Sequence, residues 1–317
     1  MNATRTDVTI EGKVRIGATV TCADPDRRSP AVVLIMGTGK LDKDGNGTGF
    51  HPDLYKNMAA MFVEWGCVTV QYDKRGCHST EGDFNTAGLS DLVDDAVSVI
   101  EYTKGLPCVD PDRVIVCGHS EGAIIATILS QREDVAGLIL LGGAAMGMKE
   151  ALYYQNRALA KEVDGMKGIK GAIMRRLSSE EKNIAKVDKI FDRCRSADKP
   201  VIRYSGVRMS TKWWKEHESY TSEDLAGLVR AFGKPVLAIT GDKDVSSDYH
   251  CLDRIRGAPN VECYVSKNVN HILREIDDDN SMLKVKKQYA RLASRPMDGG
   301  TVETIHAWMG QFLPEGQ

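Results

Sequence analysis

Several features that would assign the chain to a membrane, secreted or nucleic-acid-binding class are missing from its 317 residues. No run of about 18 apolar residues occurs, so we expect no membrane-spanning helix and no membrane partner. The N-terminal stretch MNATRTD is polar and does not form the apolar core of a signal peptide. A net charge of −2 provides no broad basic excess for neutralising phosphates, so we expect no nucleic-acid partner.

The eight cysteines form neither a disulfide pattern nor a metal-binding pattern. They are scattered along the chain, and no two of them are spaced as a CxxC pair. In a chain of this length without a secretory signal, reduced and buried thiols are expected rather than a disulfide framework or a zinc site. The sequence therefore predicts a cytoplasmic protein.

What the sequence does contain is a regular alternation of short apolar runs and amphipathic stretches. Residues 8–10 and 14–20 alternate in a way that is typical of two antiparallel strands. The later apolar runs predict strands over 31–36, 67–72, 113–117, 135–141, 235–240 and 261–265, and helical spacing predicts helices over 52–65, 89–102 and 302–312. Strands that alternate with helices over such a length predict an α/β fold with a doubly wound, mostly parallel sheet.

The pattern changes between residues 147 and 232. This segment contains no convincing strand, several helical stretches and more Lys and Arg than Asp and Glu, whereas the remainder of the chain is acidic. We interpret 147–232 as a helical lid inserted into a core made of 1–146 and 233–317. Its basic character could attract anionic substrates, although a solvated helical surface explains the charge equally well.

The pentapeptide Gly118-His119-Ser120-Glu121-Gly122 is the strongest chemical motif. A β-branched run precedes it and an apolar helical stretch over 123–129 follows it. A strand, a sharp turn and a helix are the context in which Gly-x-Ser-x-Gly forms a nucleophile elbow. The flanking glycines are needed because strand and helix approach so closely that side chains there would clash. We therefore expect Ser120 to be an exposed nucleophile at the carboxyl edge of the sheet.

A serine nucleophile needs a histidine base and an acid that orients the base, and in elbow-type hydrolases the chain order is serine, acid, histidine. The strand ending near residue 240 is followed by Asp242 and Asp244. Asp244 is the better acid, since Asp242 is close enough to the strand end to be used in turn hydrogen bonds. Asp248 is a third candidate. An alternative role for Asp244 is to cap a helix that begins at residues 246–247.

His271 is the best candidate for the base. It is the only one of the seven histidines that lies in a loop directly after the last predicted strand. His250 falls within a predicted helix, and His306 lies on the closing helix. Because serine, aspartate and histidine each follow a successive strand in the expected order, we predict that Ser120, Asp244 and His271 act together.

The oxyanion formed on attack needs two prearranged amide donors. One is expected to be the backbone N–H of Glu121, directly after the nucleophile. The second is expected from the glycine-containing loop after the strand over 31–36, where Thr38 is favoured and Gly37 is the alternative.

Taken together, these motifs resemble the α/β-hydrolase superfamily over residues 20–315, in its esterase, acyl-hydrolase and serine-peptidase-like branch. The motifs that carry the resemblance are MGTG at 36–39, YDKRG at 72–76, the elbow, GDKD at 241–244, and NH at 270–271. The resemblance implies a Ser120–Asp244–His271 triad, an acyl-enzyme mechanism and no metal or organic cofactor. Met36 departs from the histidine that many relatives carry before the glycine of the oxyanion loop.

Two other patterns have alternative explanations. The Asp- and Gly-rich loop over 42–53 superficially matches a calcium loop, but it follows a strand rather than a helix, so a polar rim of the active-site mouth is favoured. The pair Trp213-Trp214 lies in the predicted lid and either packs within it or lines an acyl pocket.

The sequence therefore predicts a serine hydrolase that acts on a small-molecule acyl ester, most simply a carboxylesterase. A thioesterase, an amidase or a peptidase could use the same triad, because leaving-group preference depends on pocket shape. A ligand-binding protein on the hydrolase fold is the alternative from another class. A homo-oligomer is compatible with the sequence.

Overall fold

A computed structural model describes residues 3–278 and 280–313. Its centre is an eight-stranded sheet with the spatial order β1-β2-β4-β3-β5-β6-β9-β10. The strands of this sheet are β1 Thr4–Glu11, β2 Arg15–Cys22, β3 Ser29–Ile35, β4 Val68–Tyr72, β5 Val109–His119, β6 Gly137–Leu141, β9 Val236–Gly241 and β10 Val261–Ser266. The β1–β2 and β2–β4 pairs are antiparallel and all other pairs are parallel, which confirms the predicted α/β class.

Helices cover both faces of the sheet. They are α1 Leu54–Glu64, α2 Leu89–Lys104, α3 Glu121–Leu129, α4 Met148–Asp164, α5 Gly168–Leu177, α6 Glu180–Arg195, α7 Thr211–Glu218, α8 Ser222–Ala231, α9 Val285–Leu292 and α10 Gly299–Met309. Val33 and Ile35 of β3 pack with α2, α3 and α8, whereas Val32 and Leu34 pack with α1 and α10. Successive strand residues point to opposite faces of the sheet, and both faces are covered by helices. Every residue of β3 is therefore buried, as its apolar run predicted.

The segment 147–232 lies between β6 and β9 in the chain and holds the five helices α4 to α8. It also holds a two-stranded antiparallel hairpin, β7 Val201–Tyr204 and β8 Val207–Ser210. The prediction that this segment lacks strands was therefore wrong. Most residues of the hairpin are at least partly exposed, so no apolar run marks them. The one sequence signal is the turn Ser205-Gly206, where both residues have positive φ, as two-residue hairpin turns require.

No helix in the described ranges is long and apolar enough to cross a membrane. All eight cysteines are free and seven of them are buried, so the expectation of reduced, buried thiols is confirmed. In the loop that resembles a calcium site, the Asp42 carboxylate accepts hydrogen bonds from the backbone N–H groups of Asp44 and Asn46. Within residues 3–278 and 280–313, no cluster of His, Cys, Asp and Glu side chains is arranged to hold a metal ion.

Candidate active site

Ser120 occupies a strained turn between β5 and α3. Its backbone has φ 57° and ψ −121°, a conformation that L-residues rarely adopt. The Ser120 N–H donates to the carbonyl oxygen of Leu141 at the end of β6, at 2.8 Å. A Cβ on Gly118 would lie 2.2 Å from the Gly122 oxygen, and a Cβ on Gly122 would lie 2.1 Å from the Ile35 oxygen. The predicted steric reason for the two elbow glycines is thus confirmed.

The buried Asp244 pairs with the partly buried His271 at the carboxyl edge of the sheet. His271 Nδ1 lies 2.7 Å from Asp244 Oδ2. The other oxygen of Asp244 accepts from the backbone N–H groups of Ser246 and Ser247, at 2.7 and 3.0 Å. These bonds close the turn after β9 and do not cap a helix, because the next helix begins at Tyr249 and its cap is Asp248. Asp242 instead accepts from the backbone N–H of Asn268, as its position in the turn predicted.

The remaining acid and histidine candidates lie elsewhere. Asp248 caps the 3-10 helix Tyr249–Arg254 and lies 2.8 Å from Nδ1 of His250, not of His271. His306 is on α10, where its ring packs 4.7 Å from the Trp65 ring. Neither pair is part of the His271–Asp244 arrangement.

Two glycines after β6 make room for the serine beside the histidine. A Cβ on Gly142 would lie 3.2 Å from His271 Nδ1 and 3.3 Å from Asp244 Oδ2. A Cβ on Gly143 would lie 2.6 Å from the backbone carbonyl oxygen of Ser120. Among the hydrogen bonds of the described residues, none joins Ser120 Oγ to His271. Such contacts in hydrolases often form only when substrate binds, so the arrangement is compatible with proton transfer.

The amides expected to bind an oxyanion differ in their availability. Glu121 is the first residue of α3, so its N–H has no partner within the helix. The Gly37 N–H donates to the Tyr55 hydroxyl at 2.7 Å and is therefore occupied. In the described part of the chain, no hydrogen bond takes up the N–H of Thr38. The geometry thus favours Thr38 over the alternative Gly37.

His119, the residue before the nucleophile, joins the two loops of the site. Its Nε2 lies 2.8 Å from the carbonyl oxygen of His271, and its Nδ1 lies 3.0 Å from the Tyr55 hydroxyl. A carbonyl only accepts, so Nε2 carries the proton and Nδ1 accepts from Tyr55, whose oxygen accepts from Gly37. Burial, reinforced by His271, lowers the pKa of His119 to about 3, so the ring is neutral.

The Glu121 side chain is buried beside the nucleophile at the centre of a charged cluster. Its Oε2 lies 2.7 Å from Lys74 Nζ, and its Oε1 accepts from Trp213 Nε1 at 2.5 Å and lies 3.0 Å from His217 Nε2. Burial raises the pKa of this carboxyl, but Lys74 and His217 outweigh burial and hold the pKa well below its usual range. Lys74 Nζ also donates to the carbonyl oxygen of Gly37, at 2.5 Å.

The sequence prediction missed these partners for a physical reason. Tyr55 lies 64 positions before His119, and Glu121 lies 96 positions before His217, so no local pattern joins them. Lys74 did carry one signal, since it follows a strand and therefore lies at the carboxyl edge.

Two cavities meet at Thr38 and Glu121. The larger one holds about 210 Å³ and is lined mainly by apolar and aromatic side chains, including Phe84, Trp213 and Trp214. The smaller one holds about 50 Å³ and is lined in part by Ser120, Gly142 and Gly143. Trp214 also packs at 4.9 Å from the Phe191 ring, so the tryptophan pair both packs within the 147–232 segment and lines the larger cavity.

The family model described as serine aminopeptidase, S33, matches residues 46–255. The esterase EstD of Thermotoga maritima is 21% identical over 96% of this chain, which spans 66% of the length of that relative.

Solved structures share the fold. Est1E of Butyrivibrio proteoclasticus, with ferulic acid bound, has a TM-score of 0.58 and 16% identity over 91% of this chain and 98% of that one. The Pyrococcus furiosus esterase Pf2001 has a TM-score of 0.57 and 12% identity over 98% of this chain and 94% of that one. The chain therefore belongs to the serine aminopeptidase S33 family of α/β hydrolases.

Proposed function

We propose that this protein is a serine hydrolase that cleaves carboxylic esters through an acyl-enzyme on Ser120. The observation that carries the proposal is that the strained Ser120 elbow and the His271–Asp244 pair lie at the same edge of the sheet. In that pair, His271 Nδ1 lies 2.7 Å from Asp244 Oδ2. A serine, an acid and a histidine at one edge of the sheet, in the chain order of elbow-type hydrolases, are the groups that acyl transfer uses.

In the proposed reaction, His271 Nε2 takes the hydroxyl proton of Ser120 while Oγ attacks the ester carbonyl. Asp244 accepts a hydrogen bond from the Nδ1–H of His271 without taking the proton, which leaves Nε2 as the base and stabilises the imidazolium that forms. The alkoxide leaving group departs with the proton from Nε2, and the acyl group stays on Oγ. Water then gives a proton to Nε2 as its oxygen attacks the acyl carbonyl. The bond from the carbonyl carbon to Oγ breaks, Oγ takes the proton back from Nε2, and the acid and the free serine are released.

The N–H groups of Glu121 and Thr38 are proposed to hold the oxyanion. Both residues line the two cavities, so a carbonyl placed between the cavities would have its oxygen near these amides. We assign the acyl group to the larger cavity, because its aromatic lining suits an apolar group. Trp213 and Trp214 would then contact the acyl chain.

The inserted segment 147–232 is proposed to act as a lid that sets specificity. It supplies Trp213, Trp214 and the hairpin residues that line the larger cavity, while Gln155 of α4 reaches the smaller one. The core residues would provide acyl-transfer chemistry that is common to all substrates. Contacts with the inserted segment would therefore determine which substrates are preferred.

Peptide hydrolysis is a second candidate, because the family model is described as an aminopeptidase. An aminopeptidase must bind a free α-ammonium group, and a buried cation requires an anionic partner. Glu121 is the only acidic residue that lines either cavity among the described residues, and it is already paired with Lys74. This pairing leaves no carboxylate in the lining of either cavity, among the described residues, for an α-ammonium group and therefore disfavours the aminopeptidase.

A p-nitrophenyl ester series from acetate to octanoate, with alanine p-nitroanilide as the aminopeptidase probe, tests the proposal. We expect the wild type to hydrolyse the esters far faster than the anilide, with an optimum chain length set by the larger cavity. Ser120→Ala should reduce the rate to the background level, because the nucleophile is gone.

Ser130→Ala is the matched control, since Ser130 caps the other end of α3, where its hydroxyl donates to the Thr127 carbonyl and accepts from the side chain of the neighbouring Gln131. It should keep the wild-type rate. Equal ester rates in the wild type and Ser120→Ala would contradict the proposal, and rapid cleavage of the anilide would favour the peptidase.

A further inference from the structure

The peptide groups on both sides of Gly37 are held by buried side chains. The N–H of Gly37 donates to Tyr55, as described above, and its carbonyl oxygen accepts from Lys74 Nζ at 2.5 Å. Tyr55 is 3% exposed and Lys74 is also 3% exposed, so neither bond competes with bulk water. The loop between β3 and α1 is therefore fixed at the residue before Thr38.

The bond from Lys74 also sets the direction of the Thr38 amide. The Gly37 carbonyl and the Thr38 N–H belong to one peptide group, which is trans and planar. In a trans peptide group the C=O and the N–H point in opposite directions. Since the carbonyl points toward Lys74, the Thr38 N–H points away from Lys74 and is free to face the substrate.

Lys74 is in turn held by the Glu121 carboxylate, and the opposite oxygen of that carboxylate contacts α7. Trp213 Nε1 donates to Oε1 and His217 Nε2 lies 3.0 Å from it, so the inserted segment and the oxyanion loop share one carboxylate. Glu121 therefore links the position of α7 to the position of Lys74, and through Lys74 to the Gly37 carbonyl.

We propose that Lys74 and the Glu121 carboxylate form a positioning pair that orients the Thr38 N–H toward the oxyanion. The proposal includes that α7 must contact Glu121 for this orientation to be correct. This inference rests on the proposed function. The pair does not touch the reacting atoms through its side chains. It acts through the peptide group that it holds.

The cost of burying this pair supports a geometric role. Two charges removed from water repay their desolvation only with good geometry, and apolar residues of similar size are often at least as stabilising. Here Lys74 Nζ donates to the Gly37 carbonyl as well as to Glu121, and Glu121 Oε1 accepts from Trp213, so these further hydrogen bonds of the pair join it to elements of the site. The arrangement fixes directions that an apolar pair could not fix.

The test uses two readouts on the full chain: the turnover of p-nitrophenyl esters and the rate at which a fluorophosphonate labels Ser120. The second readout needs the oxyanion site but no ester turnover. Lys74→Met alone would leave Glu121 buried without its counter-charge, so the double variant Lys74→Met with Glu121→Gln removes both charges together. We expect it to fold and to lose about tenfold to a hundredfold in kcat and in labelling rate, with little change in KM.

The matched control removes a second lysine–glutamate pair, Lys104 and Glu133, which lie 3.1 Å apart at the far end of α2. Lys104→Met with Glu133→Gln should keep both rates. Trp213→Phe removes only the indole N–H from Glu121 and keeps an aromatic ring in the cavity. It should lower both rates in the same direction by a few fold.

The outcomes separate the two proposals. Wild-type rates in the folded double variant would overturn the positioning role while leaving the esterase intact. If the wild type is labelled but cleaves no ester, the esterase proposal fails, and slower labelling of the double variant still supports the positioning pair. If the wild type is not labelled at all, both proposals fail. Wild-type rates in Trp213→Phe would overturn the link to α7.

Discussion

His119 is held in one protonation state by the groups around it. Its ring is 4% exposed and accepts from Tyr55 on one side while it donates to the His271 carbonyl on the other. A second proton would have to enter at Nδ1 and displace the Tyr55 donor. The folded protein therefore keeps His119 neutral at pH values where a histidine in the unfolded chain is charged.

This neutral histidine predicts a measurable pH dependence of stability. The pKa of His119 is lowered from 6.5 to about 3 in the fold, so between these values only the unfolded chain binds the proton, and stability falls as the pH falls. From pH 7 to pH 5 the wild type should lose about 2 kcal/mol of unfolding free energy that His119→Gln does not lose. Urea denaturation of both proteins at the two pH values measures the difference. An equal loss in both would show that His119 is not the group that titrates.

One oxygen of Asp244 lies beside His271 and the other accepts from the turn amides, so Asp244→Asn is predicted to lower activity while keeping the fold. The amide oxygen can still accept from the Ser246 and Ser247 N–H groups, so the fold should be kept. The amide nitrogen facing His271 would stabilise the wrong tautomer, and kcat should fall by about 10³ to 10⁴.

The control is Asp248→Asn, which changes an acid that pairs with His250 in the following 3-10 helix. It should leave kcat close to the wild-type value in ester hydrolysis. A fall of similar size in both variants would assign the effect to the turn rather than to the His271–Asp244 pair.

At the scale of the elements, the elbow depends on how closely α3 approaches the end of β3. Gly122→Ala would place a Cβ 2.1 Å from the Ile35 oxygen, a backbone atom that cannot move without shifting β3. We expect a loss of about 1–3 kcal/mol in unfolding free energy, together with reduced activity. Thermal or urea denaturation measures the stability change.

Gly227→Ala provides the comparison within α8. A Cβ there would meet no heavy atom within 4 Å, so the substitution should be neutral or stabilise the protein by up to about 1 kcal/mol. If Gly122→Ala were as stable as Gly227→Ala, the close packing of α3 on β3 would not be what requires the glycine.

The elements that the sequence predicted well are those whose burial is uniform. β3 is buried throughout and reads as one apolar run, so its position and its central place in the sheet were predictable. The exposed hairpin strands β7 and β8 have no such run, and α9 was missed because it is short and rich in polar residues. The bounds of α10 also differ from the predicted 302–312, since Asp298 caps the helix and α10 begins at Gly299, three residues earlier than its apolar face suggests.

The candidate site was predictable to the extent that it follows from topology. Ser120, Asp244 and His271 each follow a parallel strand, and the carboxyl ends of such strands meet at one edge. The partners of Glu121 could not be predicted in this way. They depend on which face of α7 meets the core, and that is decided by packing between distant parts of the chain.

At the scale of the whole molecule, the core and the inserted segment contribute different parts of the candidate site. The core supplies Ser120, Asp244 and His271, and the inserted segment covers the larger cavity with its hairpin and α7. The two parts meet at Glu121, which belongs to the elbow and accepts from Trp213. We therefore expect mutations in the core to change the rate of the chemical step and mutations in the inserted segment to change substrate preference. Mutations at the contact between Glu121 and Trp213 should change both.

The most direct measurement of the central claim is the mass of the protein during turnover of a p-nitrophenyl ester, stopped rapidly with acid. We predict that the wild type gains the mass of one acyl group, located on the peptide that contains Ser120, and that Ser120→Ala gains none. An acyl group on any other residue, or ester turnover with no acylated protein in either the wild type or Asp244→Asn, would contradict the acyl-enzyme mechanism.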